Sequence, residues 1–206
     1  GYYVFRMGIN VKKSLKSSNN KIIDYANLEI RSDFMDIYLG AKCTFCISTG
    51  CGFDAVPVIF RRPIAYVVVP LGLCSPSSKN YLILTKHHIN RLNKKELSIS
   101  EIFLSNTGMA YKDEIFKNNN IELQENTPEE IRDLVIEMDD RIKDKWHETG
   151  EDILLQKSFW YIFEKCMNNL NLNPEQYRKI KVQFYLGKIK AKFSAKYLRN
   201  NKNWIN

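Results

Sequence analysis

The sequence has few cysteines and no long apolar run, and each shortage argues against a class of protein. Five cysteines, without the spacing of a disulfide framework, argue against a disulfide-stapled domain and indicate a reducing compartment, so we expect a cytoplasmic protein. The longest nearly uncharged run, residues 63–79, contains three prolines and a glycine and is too short and too broken to cross a bilayer. The first residues also lack the basic, apolar and small-residue order of a secretory signal.

The length and composition are those of a globular domain. The chain has 206 residues, of which 44% are hydrophobic and 26% are charged, enough for one well-buried domain with a small appendage. It begins with Gly1 rather than methionine and enters a strand-like segment at once. We therefore expect a fragment whose N-terminal part is missing.

The net charge of +8 is concentrated near the C-terminal end of the sequence. Residues 176–206 contain nine basic and no acidic residues, which leaves 22 basic against 23 acidic residues in residues 1–175. A basic segment with interleaved aromatic residues can attract the phosphates of nucleic acid or of anionic lipid. A solvated helix without a polyanionic partner has the same composition, so the charge leaves both interpretations open.

Short segments rich in β-branched and aromatic residues predict the strands. Residues 44–47, 64–69 and 81–85 are the clearest, and residues 2–6 and 21–25 are shorter candidates. Several of these segments are continuous apolar runs, which is typical of strands buried on both faces of a parallel sheet.

Helix starts are marked by capping residues between and after these strands. Ser32 is an N-cap candidate, and the sequences that begin at Ser98 (Ser-Ile-Ser-Glu) and Thr127 (Thr-Pro-Glu-Glu) fit the capping box. Beyond Trp146 we expect only helices, at residues 154–167, 174–186 and 189–198.

Strands that alternate with helices predict an α/β fold. We expect a Rossmann-like parallel sheet with helices on both faces over residues 1–150. Residues 151–206 are expected to form a helical, basic C-terminal extension.

Four cysteines, Cys43, Cys46, Cys51 and Cys74, raise the question of a zinc site, since tetrahedral zinc binds four thiolates. Residues three apart in a strand point to opposite faces, so Cys43 and Cys46 would diverge. No second C-x-x-C pair follows them. The sequence therefore favours buried apolar cysteines, and we expect neither a bound metal nor a cofactor.

The segment around Cys51 also predicts a phosphate-binding turn. A strand ending at Ser48 leads through Thr49-Gly50-Cys51-Gly52 into a short helix. Free N–H groups at a helix start, aligned with its dipole, suit a phosphate or diphosphate. Asp54, in the first helical turn, is favourable there for capping alone and could equally accept hydrogen bonds from ligand hydroxyls. The stretch is neither a Walker loop nor a full dinucleotide fingerprint, and a plain tight connection is the alternative.

Three more residues are candidates for the same edge of the sheet. Arg6 ends a predicted strand just before Gly8, and the ends of parallel strands are where α/β sheets bind ligands. The planar guanidinium of Arg6 would suit a phosphate, with a surface ion pair as the alternative. His87 follows the strand of residues 81–85 and is a candidate ligand contact. His87 and His88 are adjacent and do not aim at one point, which argues against a metal pair.

Several segments of the sequence together resemble a family of bacterial glycosyltransferases from surface-carbohydrate gene clusters. The likeness covers nearly the whole chain in order, and its most specific part is the third of these segments: "YVFRMG", "IIDYA", "RSDFMDIYLGAKCTFCISTGCGFDAVPVIFRRPIAYV", "LSISEIF", "ENTPEEI" and "YLRNNKNWI". The chain is similar to the C-terminal half of the GT-B architecture in that family.

The resemblance implies a two-domain enzyme with twin Rossmann-like halves, of which residues 1–150 would bind the nucleotide-sugar donor. The acceptor, a surface glycan or a lipid-linked sugar, and the general base would lie on the missing N-terminal half, so the fragment would be inactive alone. GT-B enzymes do not depend on a bound metal. Such an enzyme would work in the cytoplasm, at the inner face of the membrane.

The resemblance also assigns the donor-binding residues. The diphosphate would meet the segment from Ser48 to Gly52, with Asp54 nearby, and Arg6 would neutralise the leaving diphosphate. Family members usually have serine where Cys51 stands, so one hydroxyl contact would be lost here.

Two other functions are compatible with the same sequence. One is a nucleotide-sugar epimerase of the same fold, which would act on the donor without an acceptor. The other is a non-catalytic module whose basic C-terminal helices bind anionic membrane or nucleic acid, although nucleic acid is not expected as a partner. In the second case Ile189, Phe193 and Tyr197 would form the apolar side of an interfacial helix, although packing on a missing domain would produce the same pattern. Its basic side would carry Lys188, Lys192, Lys196 and Arg199.

Overall fold

The computed structural model describes residues 1–9, 11–68, 71–73, 79–170 and 191–205. Strands and helices follow one another along the chain as β1 (Val4–Phe5), β2 (Ile22–Ile23), α1 (Asp33–Lys42), β3 (Cys46–Ser48), α2 (Ala55–Ile59), β4 (Ile64–Val68), β5 (Tyr81–Thr85), β6 (His87–Asn90), α3 (Ile99–Leu104), α4 (Asp113–Asn118), β7 (Ile121–Gln124), α5 (Pro128–Ile142), α6 (Gly150–Asn168), β8 (Lys192–Phe193) and α7 (Ala195–Asn200).

The α/β fold predicted from the sequence is confirmed. A four-stranded sheet in the order β3-β4-β5-β8 has every strand parallel to its neighbours, and helices flank it. All five residues of β5 are buried, as are four of the five in β4, which explains why both read as continuous apolar runs. Because the strands are parallel, their carboxyl ends share one edge, formed by Ser48, Val68, Thr85 and Phe193.

The remaining strands do not join this sheet, which corrects the expectation of a single parallel sheet. β1 and β2 form a parallel pair of their own, and β6 pairs with β7 in an antiparallel ladder. Only Lys86 separates β5 from β6, and after it the chain leaves the central sheet to pair with β7. The partner of β7 (Ile121–Gln124) is β6, and β7 does not enter the parallel sheet.

The predicted helix over residues 189–198 is wrong in part, and with it the description of residues 151–206 as a purely helical extension. Residues Lys192–Phe193 form β8, which pairs with β5, and a helix begins only at Ala195. The side chain of Gln156 satisfies the outer side of β8, since its amide donates to the Phe193 carbonyl and accepts from the Phe193 N–H. A two-residue strand is too short to leave a periodic pattern. The helix predicted over residues 174–186 lies outside the described residues.

Three helices begin at the capping residues that were predicted from the sequence. Ser32 caps α1 through the Met35 N–H, and complete capping boxes begin α3 at Ser98 and α5 at Thr127. A third capping box, Thr149 with Asp152, begins α6.

The core includes the described part of the C-terminal segment. Phe159 and Phe163 of α6 stack on each other, and Phe159 also contacts the rings of Phe193 and Trp204. Phe193 is fully buried and Trp204 is 5% exposed. Since burying one large aromatic side chain stabilises a fold by about 1.5–3 kcal/mol, the described residues 191–205 contribute to the same core as the sheet.

Candidate functional site

The predicted turn lies at the carboxyl end of β3, on the edge strand of the parallel sheet. β3 ends at Ser48, and a short 3-10 turn, Gly52–Asp54, leads directly into α2. Gly50 has a φ of 78°, a conformation that side chains with a Cβ disfavour, so a glycine is needed for the chain to reverse here. Its N–H donates to Oγ of Ser48 at 3.0 Å.

Ser48 and Asp54 form the buried interior of this turn. Both side chains are nearly inaccessible to solvent, and the Ser48 hydroxyl donates to Oδ1 of Asp54. The Cys51 thiol donates to the same oxygen at 3.8 Å. Burial raises the pKa of Asp54, while the hydrogen bonds from Ser48 and Cys51 oppose that shift. Asp54 therefore holds the turn together from inside, in addition to any contact with a ligand.

The outside of the turn is open. Thr49, Gly50, Cys51 and Gly52 are all exposed. The 3-10 turn has no side-chain cap at Cys51, and within the described parts of the chain no side chain accepts from the N–H groups at its start. A Cβ atom built on Gly52 would meet no atom of the described residues within 4 Å. An anion could therefore approach the main chain at this point without displacing protein atoms.

Arg6 lies elsewhere, directly after β1 of the two-stranded sheet and not in the sheet that carries Ser48. Its Nε donates to Oδ1 of Asp24 at 2.7 Å, with Nη2 at 2.5 Å from the same oxygen, and Nη1 donates to the Lys13 carbonyl at 2.7 Å. This matches the ion-pair alternative, and the role of Arg6 at a diphosphate stays a prediction. Gly8 has a φ of 142°, and a Cβ there would come within 3.1 Å of the Val11 side chain.

His87 lies just beyond the carboxyl end of β5, as predicted, but both of its ring nitrogens are engaged. Nδ1 is 2.6 Å from Oε1 of Glu96 and Nε2 is 3.0 Å from Oε2 of Glu130. The bond to Glu96 raises the pKa of His87 to about 9, against the effect of burial and with help from Glu130. His87 is thus an imidazolium ion held between two carboxylates, with no free nitrogen for a ligand in this arrangement.

The described cysteines near the turn do not form a metal site. Among the described residues, no group of three or more histidine, cysteine or acidic side chains has the geometry to hold a metal ion. Cys43 donates to the Gly40 carbonyl, and burial raises the pKa of Cys46 to about 12, so both are held as thiols. Cys74 lies outside the described residues.

The described basic residues near the C-terminus face acidic partners within the chain. Lys192, Lys196 and Arg199 form ion pairs with Glu148, Asp133 and Asp152. Phe193 and Tyr197, expected on the apolar side of an interfacial helix, are buried in the core. This described part of the segment therefore does not present the basic and apolar surface that the sequence suggested. Ile189 and Lys188 lie outside the described residues.

The helices in the described portion of the chain include none that is both long and apolar enough to span a bilayer.

Sequence reasoning missed the partners of the charged candidates. Asp24 is the only acidic residue among the first 28, which is a signal that it would pair with Arg6. Glu130 was interpreted only as the capping-box residue of α5, and Glu96 gave no signal at all. Glu96 is nine residues and Glu130 is 43 residues beyond His87, and neither spacing corresponds to a regular local motif.

Comparison with known proteins finds no matching family model, no matching curated protein and no matching solved structure. The glycosyltransferase resemblance therefore stays a prediction.

Proposed function

We propose that this chain is the donor-binding half of a glycosyltransferase of the metal-independent GT-B type, with a Rossmann-like sheet. It would bind a nucleotide-sugar and contribute to transfer of the sugar to a surface-glycan or lipid-linked acceptor. The observation that carries the proposal is the open turn from Ser48 to Gly52 at the carboxyl edge of a parallel sheet. Ligands of open α/β sheets bind at this edge, and phosphates bind at such strand-to-helix turns.

The chemistry follows from what the turn offers. In sugar transfer, the bond between the anomeric carbon and the diphosphate oxygen breaks, and the acceptor hydroxyl forms the new bond and loses its proton to a base. Negative charge grows on the departing diphosphate. N–H groups fixed at the start of the 3-10 turn would stabilise that charge, and one well-placed donor of this kind is worth about 3–4 kcal/mol in the transition state. The base is assigned to no residue of this chain.

The hydrogen bonds inside the turn support this role. The Asp54 carboxylate fixes the Ser48 hydroxyl, which accepts from the Gly50 N–H, so the turn is held in shape before a ligand arrives. Preorganised donors stabilise developing charge better than donors that must reorient.

The test is binding of nucleoside diphosphates to the purified chain, followed by thermal unfolding and calorimetry. A diphosphate present at about 100 times its Kd should stabilise the fold by about 2.7 kcal/mol, whereas the matching nucleoside should not. Gly52→Ala should lose most of this affinity, because its methyl group meets open space in the protein but stands where the ligand would approach.

Gly150→Ala is the matched control. Gly150 also has open space around its Cβ position and lies at the start of a helix, but far along the chain from the turn. Failure of every nucleoside diphosphate to stabilise the protein, or equal affinity in both glycine variants, would reject the proposal.

A further inference from the structure

The N-terminal lobe, defined here as residues 1–9 and 11–32, carries positive charge that the rest of the body lacks. Residues 1–32 contain six basic and two acidic residues, whereas residues 33–175 contain 16 basic and 21 acidic residues. The near-zero net charge of residues 1–175 is thus the sum of a basic N-terminal lobe and an acidic remainder. The sequence-based interpretation, which compared only the C-terminal segment with the remainder, did not detect this asymmetry.

Three lysines of the lobe form no ion pair within the described residues. Both arginines are neutralised, Arg6 by Asp24 and Arg31 by Asp36. Lys12, Lys13 and Lys16 are exposed, and no ion pair within the described residues involves them. Three positive charges therefore face solvent within five consecutive residues.

The lysines stand on a backbone that is fixed to the lobe. The Lys13 carbonyl accepts from Nη1 of Arg6, and the Leu15 N–H donates to Oδ2 of Asp24 at 2.9 Å. The Asn27 amide donates to the same Asp24 oxygen at 2.8 Å. The loop that carries the lysines and the 3-10 turn before Leu28 therefore both donate hydrogen bonds to the Asp24 carboxylate.

Aliphatic side chains are exposed beside these charges. Leu15 and Leu28 are 41% and 40% exposed, and Ile30 is 71% exposed. Exposed leucines and isoleucines are ordinary when isolated, but here they accompany unpaired lysines on one lobe. Lysines around aliphatic side chains are the combination that binds to the interface of an anionic bilayer, through attraction to headgroups and burial of apolar area.

We propose that the surface of the N-terminal lobe, which exposes Lys12, Lys13, Leu15, Lys16 and Ile30, docks on an anionic membrane. The described C-terminal basic residues are unsuited to this role, because their charges are paired within the chain. Nucleic acid fits this face less well, since its recognition relies on arginine forks and stacking, and both arginines here hold carboxylates. This inference does not depend on the proposed sugar transfer.

The experiment is co-sedimentation of the full 206-residue chain with lipid vesicles. We expect binding to vesicles of phosphatidylcholine mixed with phosphatidylglycerol, little binding to phosphatidylcholine alone, and weaker binding as salt concentration rises. Each lysine near the surface contributes about fivefold to partitioning, so the triple variant K12E/K13E/K16E should bind at least about 100-fold more weakly.

The charge-matched control is K112E/K117E/K157E, which reverses three exposed lysines that lie outside the lobe. It should retain most of the binding. Ile30→Ser tests the aliphatic contribution separately and should weaken binding about tenfold without changing the net charge. Urea unfolding of each variant verifies that the fold is kept.

Three results would overturn the inference. They are no binding to anionic vesicles, equal losses in the two triple variants, and tighter binding of the wild-type chain to an oligonucleotide than to anionic vesicles. If the chain binds nucleoside diphosphates but not anionic vesicles, this inference fails while the proposed function stands.

Discussion

The hydroxyl group of Ser48 and the carboxylate of Asp54 are hydrogen-bonded to each other inside the turn that links β3 to α2, and both are buried. The pair joins the last residue of a strand to the end of the 3-10 turn that begins the following helix. The same hydroxyl accepts from the Gly50 N–H, so one carboxylate fixes the shape of the whole connection.

Removal of the Asp54 carboxylate should destabilise the protein. Asp54→Ala leaves the Ser48 hydroxyl buried without its acceptor, which should reduce the free energy of unfolding by about 1–3 kcal/mol. Asp54→Asn keeps an acceptor oxygen and should cost less. Urea unfolding measures both, and a double-mutant cycle with Ser48→Ala should give a coupling energy near 1 kcal/mol. Strict additivity of the two substitutions would contradict a direct interaction.

Arg6 should matter for stability more than for ligand binding. Arg6→Ala removes the partner of Asp24 and the donor to the Lys13 carbonyl, and should lower the free energy of unfolding. We expect the affinity for nucleoside diphosphates to change less than twofold. A large loss of affinity with unchanged stability would instead support the role at the diphosphate that the sequence suggested.

The stability of the protein should fall as pH rises toward the pKa of His87, which the flanking carboxylates raise from 6.5 to about 9. A raised folded-state pKa favours the protonated form. Its stabilisation is therefore complete below pH 6.5 and is lost as pH rises through about 9. Because the cluster is partly solvated, we expect a loss of about 1–3 kcal/mol.

His87→Gln provides the comparison for this pH dependence. Its free energy of unfolding, measured in urea between pH 6.5 and pH 9.5, should fall less steeply than that of the wild-type chain. Other groups that titrate in this range are common to both proteins, so the difference isolates His87. Identical slopes in the two proteins would show that the carboxylates do not hold a charged imidazole.

Glu137 should be among the most sensitive charged positions. It is 2% exposed, accepts two hydrogen bonds from Arg141 and one from the Ala195 N–H at the start of α7. Burial raises its pKa, and Arg141 opposes that shift. Glu137→Ala should cost about 1–3 kcal/mol in urea unfolding, because the Ala195 N–H loses its acceptor and the Arg141 guanidinium keeps only its contacts with Glu148.

Lys143→Ala is the control for Glu137→Ala, since Lys143, the C-cap residue of α5, forms an exposed ion pair with Asp139. It should cost much less than Glu137→Ala, because exposed ion pairs contribute little to stability. Similar losses in the two variants would mean that burial does not strengthen the Glu137 interactions.

Local features of the chain could be predicted from the sequence because their causes lie within a few residues. The capping boxes at Ser98 and Thr127 depend on side chains three residues apart, and the turn at Gly50 depends on a residue without a Cβ. The strands β4 and β5 were recognisable because parallel strands buried on both faces must be apolar along their whole length.

The tertiary structure alone decided which of these segments meet. Lys192–Phe193 became a strand because β5 offered a free edge and Gln156 could satisfy the other side of the backbone, and no local pattern encodes that. Arg6 and His87 were candidate ligand contacts in the sequence, yet each faces carboxylates brought to it by the fold. Propensity and spacing act over neighbouring residues, whereas the charge pairs of Arg6 and His87 join residues 9 to 43 positions apart and the pairing of β5 with β8 joins more distant ones.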